Sequence, residues 1–152
     1  MRRNRSPQWT LTILFLLSWL GASVTPFSAQ SPSADQVWDQ LQSLGTAARN
    51  DGFKQLYYMV GWLSQGESAY NLAPFLSAGS SYLIVGVCDN DCSDVDLALR
   101  DGNAVEVASD TAADDTPLIR FTPSTTGTYV ITPRMPDCRV EPCGYGIGVF
   151  VK

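Results

Sequence analysis

Between residues 89 and 96 the chain places Asp89, Asn90, Asp91, Asp94 and Asp96, four carboxylates and an amide. Packing carboxylates this closely costs repulsion unless a cation or solvent separates them. Calcium takes about six to eight oxygen ligands from carboxylates and carbonyls, the donor type such a loop supplies. The expected metal site is therefore calcium on Asp89, Asp91, Asp94 and Asp96, with Asp110, Asp114 and Asp115 available from a neighbouring loop. The spacing is not that of an EF-hand, which needs a glycine at the sixth position and a glutamate at the twelfth. The alternative is a solvated loop whose aspartates cap turns.

Cys88 and Cys92 bracket the first half of this loop, and Cys138 and Cys143 form a second close pair. An even cysteine count in an exported chain reads as a disulfide framework. Four cysteines allow three connectivities. The favoured one is Cys88–Cys92 with Cys138–Cys143, and the rival is a cross-link between the loops such as Cys88–Cys143. Each short ring is worth roughly 2 kcal/mol in the chain-entropy model. Zinc fits poorly, because the chain has no histidine and exported thiols oxidise.

The missing histidine also excludes Ser-His-Asp and Cys-His catalysis. A glycosidase-type carboxylate pair would have to draw on Glu67, Glu106 or Glu141, and nothing in the sequence marks a cleft around them. The expectation is a protein that is not an enzyme. Tyr57, Tyr58, Trp62, Tyr70 and Phe75 lie close in sequence. Aromatics of this kind belong to a core, or stack on sugars and dock partners where they stay exposed.

Residues 1–29 read as a signal peptide. Arg2, Arg3 and Arg5 precede an apolar run over residues 11–20, shorter than the roughly 20 residues a membrane span needs. Cleavage is expected after Ala29, although Phe27 is a poor match at the −3 position. An uncleaved anchor is the rival, and after cleavage no stable membrane insertion is expected. The remainder keeps 7 basic against 15 acidic residues, since the leader carries three arginines and no acid. An acidic surface repels nucleic acid and anionic lipid, so neither is an expected partner. Localisation is expected to be periplasmic or secreted.

Residues 30–52 predict the helix that precedes the sheet domain. Ser33 to Gln36 fits a capping box. Val37, Leu41, Leu44 and Ala48 recur with a 3.6-residue period, and Asn50-Asp51-Gly52 is a stop signal. Residues 53–152 predict a β domain with strands at 56–63, 68–72, 82–88, 94–100, 105–107, 118–122, 128–132 and 144–151. Within them Val95, Leu97 and Leu99 alternate with polar residues, the mark of a half-buried antiparallel strand. Residues 133–142 are expected to be a connection. In the last strand Tyr145, Ile147, Val149 and Val151 share one face, and Gly144, Gly146 and Gly148 need close neighbours on the other. The expected fold class is all-β: an antiparallel β-sandwich or jelly roll of seven or eight strands with one N-terminal helix.

One ordered set of motifs resembles a known family. It comprises Gly61-Trp62-Leu63 with Gly66-Glu67-Ser68, and Leu76-Ser77-Ala78-Gly79 before Tyr82. It continues with Asp94-Val95-Asp96-Leu97, Asp114-Asp115-Thr116-Pro117 ahead of Phe121-Thr122-Pro123, and Gly127-Thr128-Tyr129. Over residues 57–151 this resembles the bacterial pre-peptidase C-terminal domain. The resemblance implies a jelly-roll-like, non-catalytic module of secreted proteins, usually appended to peptidases. Some relatives bind calcium, and some bind collagen or polysaccharide. Asp94 and Asp96 match the family's Asp-x-Asp strand. The N-terminal helix and the paired-cysteine loops depart from the pattern, and no peptidase segment accompanies them, so the resemblance implies a stand-alone exported version.

The expected function is a non-catalytic exported binding or assembly module that takes an unidentified protein or polysaccharide, with calcium as the candidate cofactor. The alternatives are a carbohydrate-binding or adhesion domain using exposed aromatics, and a small enzyme or enzyme inhibitor.

Overall fold

The computed structural model describes residues 32–70 and 72–152. The expected leader at 1–29 lies outside the described residues. In chain order the elements are α1 (Pro32–Asn50), β1 (Lys54–Leu63), β2 (Phe75–Leu76), β3 (Tyr82–Cys88), β4 (Cys92–Arg100), β5 (Glu106–Asp110), β6 (Leu118–Phe121), β7 (Gly127–Thr128), β8 (Val130–Cys138) and β9 (Cys143–Val151). A four-stranded sheet runs β1-β9-β3-β6, a three-stranded sheet runs β5-β4-β8, and β2 pairs with β7. All pairings are antiparallel. The protein is an all-β sandwich with one helix.

The core lies between the two larger sheets. Tyr145, Ile147 and Val149 of β9 and Ile84 of β3 meet Val95, Leu97 and Leu99 of β4 and Ile131 and Met135 of β8. Strand alternation dictates this directly, because each of these strands turns every second residue inward.

The helix covers the outer face of the four-stranded sheet. It lies over β9, with β1 and β3 to either side. Val37 and Leu41 are fully buried, and Ala48 is nearly so. The glycines of β9 make room for it: a Cβ on Gly146 would stand 2.7 Å from Leu41 and Val37 side-chain carbons. Gly45 performs the same service in reverse, since a Cβ there would fall 1.8 Å from the Tyr58 hydroxyl. That hydroxyl donates to the Leu41 carbonyl at 3.1 Å. Burial raises the Tyr58 phenol above its ordinary range, with Arg49 opposing. The C-terminal stop is a Schellman motif. Gly52 takes φ 85°, and its N–H bonds the Arg49 carbonyl at 3.0 Å while the Phe53 N–H bonds that of Ala48 at 3.0 Å.

Three local expectations change, and one strand pair is added to them. The helix begins at Pro32, so Ser33 and Gln36 lie inside it rather than forming a capping box. Ser33 Oγ instead accepts from the Trp62 indole, and Gln36 Oε1 accepts from the Asn90 N–H. Residues 133–138 continue β8 instead of opening a connection, because Pro133 and Pro136 sit in a strand at the sheet edge and register shifts opposite β4 absorb the irregularity. Among the described residues of 68–72 there is no strand; Ser68 bridges Arg134 and Leu72 bridges Ile131, two isolated contacts on the outer edge of β8. The short β2–β7 pair, with two residues on each side, lacks any periodicity to announce it.

Candidate functional site

The favoured connectivity is the one formed. Cys88 bonds Cys92 and Cys138 bonds Cys143, each with Cα atoms 5.9 Å apart. Cys92 of β4 pairs in register with Cys138 of β8, and Cys88 of β3 with Tyr145 of β9. The two stapled loops therefore emerge side by side at one end of the sandwich.

They are tied to each other. The Arg139 N–H donates to the Asp91 carbonyl at 2.7 Å, and the Arg139 guanidinium donates to the Asn90 carbonyl. The second loop is also tied to the turn after β1, where Glu141 Oε1 accepts from the Gln65 N–H at 3.0 Å and Glu67 Oε2 from the Ser64 N–H at 2.8 Å. The helix braces the first loop: the Gln40 amide donates to the Cys88 carbonyl at 3.1 Å. At the tip, residues 139–142 are exposed and Val140 is 62% accessible.

Asp89 holds this end from inside. It is 4% exposed. Its Oδ2 accepts from the Gly144 N–H at 2.6 Å and its Oδ1 from the Asp91 N–H at 3.2 Å. The Asp91 side chain faces solvent. Asp94 and Asp96 point to the outer face of β4, away from the core. Asp96 pairs with Arg134 at 3.3 Å. Asp94 Oδ1 is buried without a hydrogen-bond partner. Partial burial raises the Asp94 carboxyl above the usual carboxylate range; Asp96, Asp114 and Asp137 push the same way, and Arg134 opposes.

Of the four aspartates expected to hold calcium, Asp94 and Asp96 share the outer face of β4, whereas the turn carries Asp89 inward and leaves Asp91 in solvent. Asp89 is committed to two backbone N–H groups and Asp96 to an arginine. Among the described residues no group of three or more acidic or cysteine side chains is placed to hold one metal ion. The donor set that approaches Asp94 is Asp96, Asp114 and Asp137; Asp137 was missed in the sequence because it comes from β8, far along the chain.

The glutamates do not form a catalytic pair. Glu67 and Glu141 serve the turn, and Glu106 pairs with Arg100 at 3.2 Å. A cavity of about 650 Å³ beside the helix has Asp39 as its one lining acid among the described residues. Of the grouped aromatics, Tyr58 is packed between Trp38 and Phe150. Tyr57, Trp62, Tyr70 and Phe75 are exposed, at 42%, 48%, 72% and 63%. They do not form a row: Tyr57 and Trp62 lie on opposite faces of β1, and the other two belong to separate segments.

Fold and site together define a helix-capped antiparallel β-sandwich with a doubly stapled end. No protein-family model matches the chain, and no curated protein matches it. Among solved structures it is similar to PliG of Aeromonas hydrophila, a periplasmic inhibitor of g-type lysozyme. The two are 12% identical, with a TM-score of 0.49 over 67% of this chain and 90% of that one.

Proposed function

We propose that this chain is an exported, non-catalytic β-sandwich module that binds a protein partner through its doubly stapled end. Two disulfides with no free cysteine among the described residues suit an oxidising compartment. Among the described residues no helix is long and apolar enough to cross a membrane. A chain without histidine, whose three glutamates are taken up by turns and an ion pair, offers little for catalysis.

The observation that carries the reading is the 139–142 tip. An apolar Val140 stands on a loop closed by one disulfide, tied to a second stapled loop by Arg139 and to the β1 turn by Glu141. A loop held this way loses little conformational freedom on docking, so more of its contact energy appears as affinity. A braced loop that carries an exposed apolar residue is also the kind of element that inserts into an enzyme's cleft, and inhibition is the form of binding tested first.

The test titrates the oxidised exported protein into a panel of secreted hydrolases, a g-type lysozyme among them, and reads turnover. A photo-crosslinker at position 140 runs in parallel. Inhibition that Val140→Asp relieves at least about tenfold supports the inhibitor form. Site-specific crosslinking without inhibition supports docking alone. Neither signal at position 140, with binding mapped to another surface or absent, overturns the reading.

A further inference from the structure

The face of the three-stranded sheet turned away from the core carries a polar hollow that neither the helix nor the stapled end uses. Strand register lays it out. Asp96 of β4 stands opposite Arg134 of β8, and Ala98 stands between Thr132 of β8 and Ser109 of β5. Alternation puts these side chains on one face with Arg100. Beyond β8, residues 66–70 strap its edge: the Gly66 N–H bonds the Met135 carbonyl at 2.6 Å, and the Ala69 N–H bonds that of Pro133 at 3.1 Å. This strap sets Ser68 and Tyr70 at the rim. Ala98 is the small residue among larger polar neighbours, and the face is hollow there, with a volume of about 270 Å³. A second hollow of about 320 Å³ adjoins it, since Tyr70 and Arg100 line both.

The polar groups of this hollow are held in place in advance. The Arg100 guanidinium donates to Thr132 Oγ1 at 3.0 Å and to Glu106 Oε2 at 3.2 Å. Thr132 is nearly buried, and the side chains of Asp96 and Arg100 are only 13% and 28% exposed. Groups fixed beforehand lose little freedom when a ligand arrives. They also keep capacity to spare. An arginine has five N–H groups, and a carboxylate has about four acceptor sites. Donors and acceptors therefore lie side by side, with the hydroxyls of Ser109 and Thr132 able to serve as either.

Charge selects the ligand class. The chain has a net charge of −5, yet the ionised lining here is balanced, with Asp96 and Glu106 against Arg100 and Arg134. An anion or a cation gains no net attraction from such a lining. A polyhydroxylated neutral ligand does gain, because each hydroxyl both donates and accepts. Tyr70 supplies the remaining element, a largely exposed ring at the rim that can meet the apolar C–H face of a pyranose.

We infer that this hollow binds a neutral sugar, with its hydroxyls on Asp96, Arg100 and Thr132 and its apolar face on Tyr70. Small-molecule sites span about 300–1,000 Å³, so each hollow takes about one sugar ring and the adjoining pair a disaccharide. The site shares no residue with the 139–142 tip and stands whether or not that tip docks a protein.

The experiment follows the backbone amides of the oxidised exported protein by NMR. The titrants are cellobiose, maltose and N,N′-diacetylchitobiose, each beside its monosaccharide and its tetrasaccharide, with glucuronate and glucosamine as charged counterparts. Saturable shifts on residues 68–70, 96–100 and 132–134 are expected with at least one neutral disaccharide, which binds more tightly than its monosaccharide. Tyr70→Ala removes the exposed ring and should weaken that binding roughly tenfold. Ala98→Leu fills the hollow while leaving both ion pairs intact, and should weaken it at least as much. Each variant tests the site alone if the other fails to fold. The tetrasaccharide separates the sources: affinity equal to the disaccharide's marks a free sugar or chain end, and a further gain marks a polysaccharide. No saturable shift with any neutral sugar overturns the inference. So does binding that maps to other residues or that both variants leave intact, and so does tighter binding of glucuronate or glucosamine than of glucose.

Discussion

Asp89 and Gly144 hold each other twice. The Asp89 N–H donates to the Gly144 carbonyl at 3.0 Å, and the Gly144 N–H donates to Asp89 Oδ2 at 2.6 Å. This reciprocal pair joins the first stapled loop to the strand that leaves the second, and it explains why a buried carboxylate is tolerated: both of its oxygens are engaged.

Asp89→Ala should therefore be among the most damaging single changes away from the hydrophobic core. It strands two backbone N–H groups, one of them buried, and the cost expected is about 2–4 kcal/mol in chemical denaturation. Asp89→Asn, which keeps an acceptor oxygen, should recover part of it. Equal losses for both variants would show that charge rather than acceptor geometry matters at this position.

Gly146→Ala should destabilise by about 1–3 kcal/mol, because its methyl would press on Val37 and Leu41 and push the helix from β9. The more informative change is Gly45→Ala. Alanine favours a helix interior over glycine by about 1 kcal/mol, yet here it would displace the Tyr58 hydroxyl from the helix surface. The double change Gly45→Ala with Tyr58→Phe should recover stability relative to Gly45→Ala alone. A stabilised Gly45→Ala single variant would disprove the contact.

The Asp94 carboxyl titrates higher in the folded than in the unfolded chain, through burial and then Asp96, Asp114 and Asp137. Between the two values the folded state binds the extra proton, so this group's contribution to stability is present at low pH and lost as pH rises through the folded value. Asp94→Asn should flatten that slope and raise the neutral-pH melting midpoint by roughly 1–3 °C. The same melts with calcium and with a chelator test the metal reading. With Asp89 and Asp96 committed elsewhere, equal midpoints are expected; a calcium-dependent rise abolished by Asp94→Ala would place a cation among Asp94, Asp96, Asp114 and Asp137 after all.

Much of this architecture was legible in the residues. The 3.6-residue spacing of Val37, Leu41, Leu44 and Ala48 set the buried face of the helix, and Gly52 set its end. Period-2 alternation over β4 and β9 set which side chains enter the core. The cysteine spacing favoured the two short rings that form. The strap at 68–72 and the run of β8 through Pro133 and Pro136 were not legible, because isolated bridges carry no period and prolines mimic a connection. The acidic loop misled for a related reason. Closeness in sequence suggested one cluster, whereas alternation sends Asp94 and Asp96 to one face and the turn carries Asp89 into the interior.

The sequence by itself thus determined the local periods and the turns and favoured the short disulfide rings, because each depends on residues a few positions apart. The tertiary structure alone decided which carboxylates meet, which edges stay open and which loop end stands exposed. Those depend on the pairing of β8 with β4 and of β1 with β9, contacts between distant residues whose partners no local pattern names.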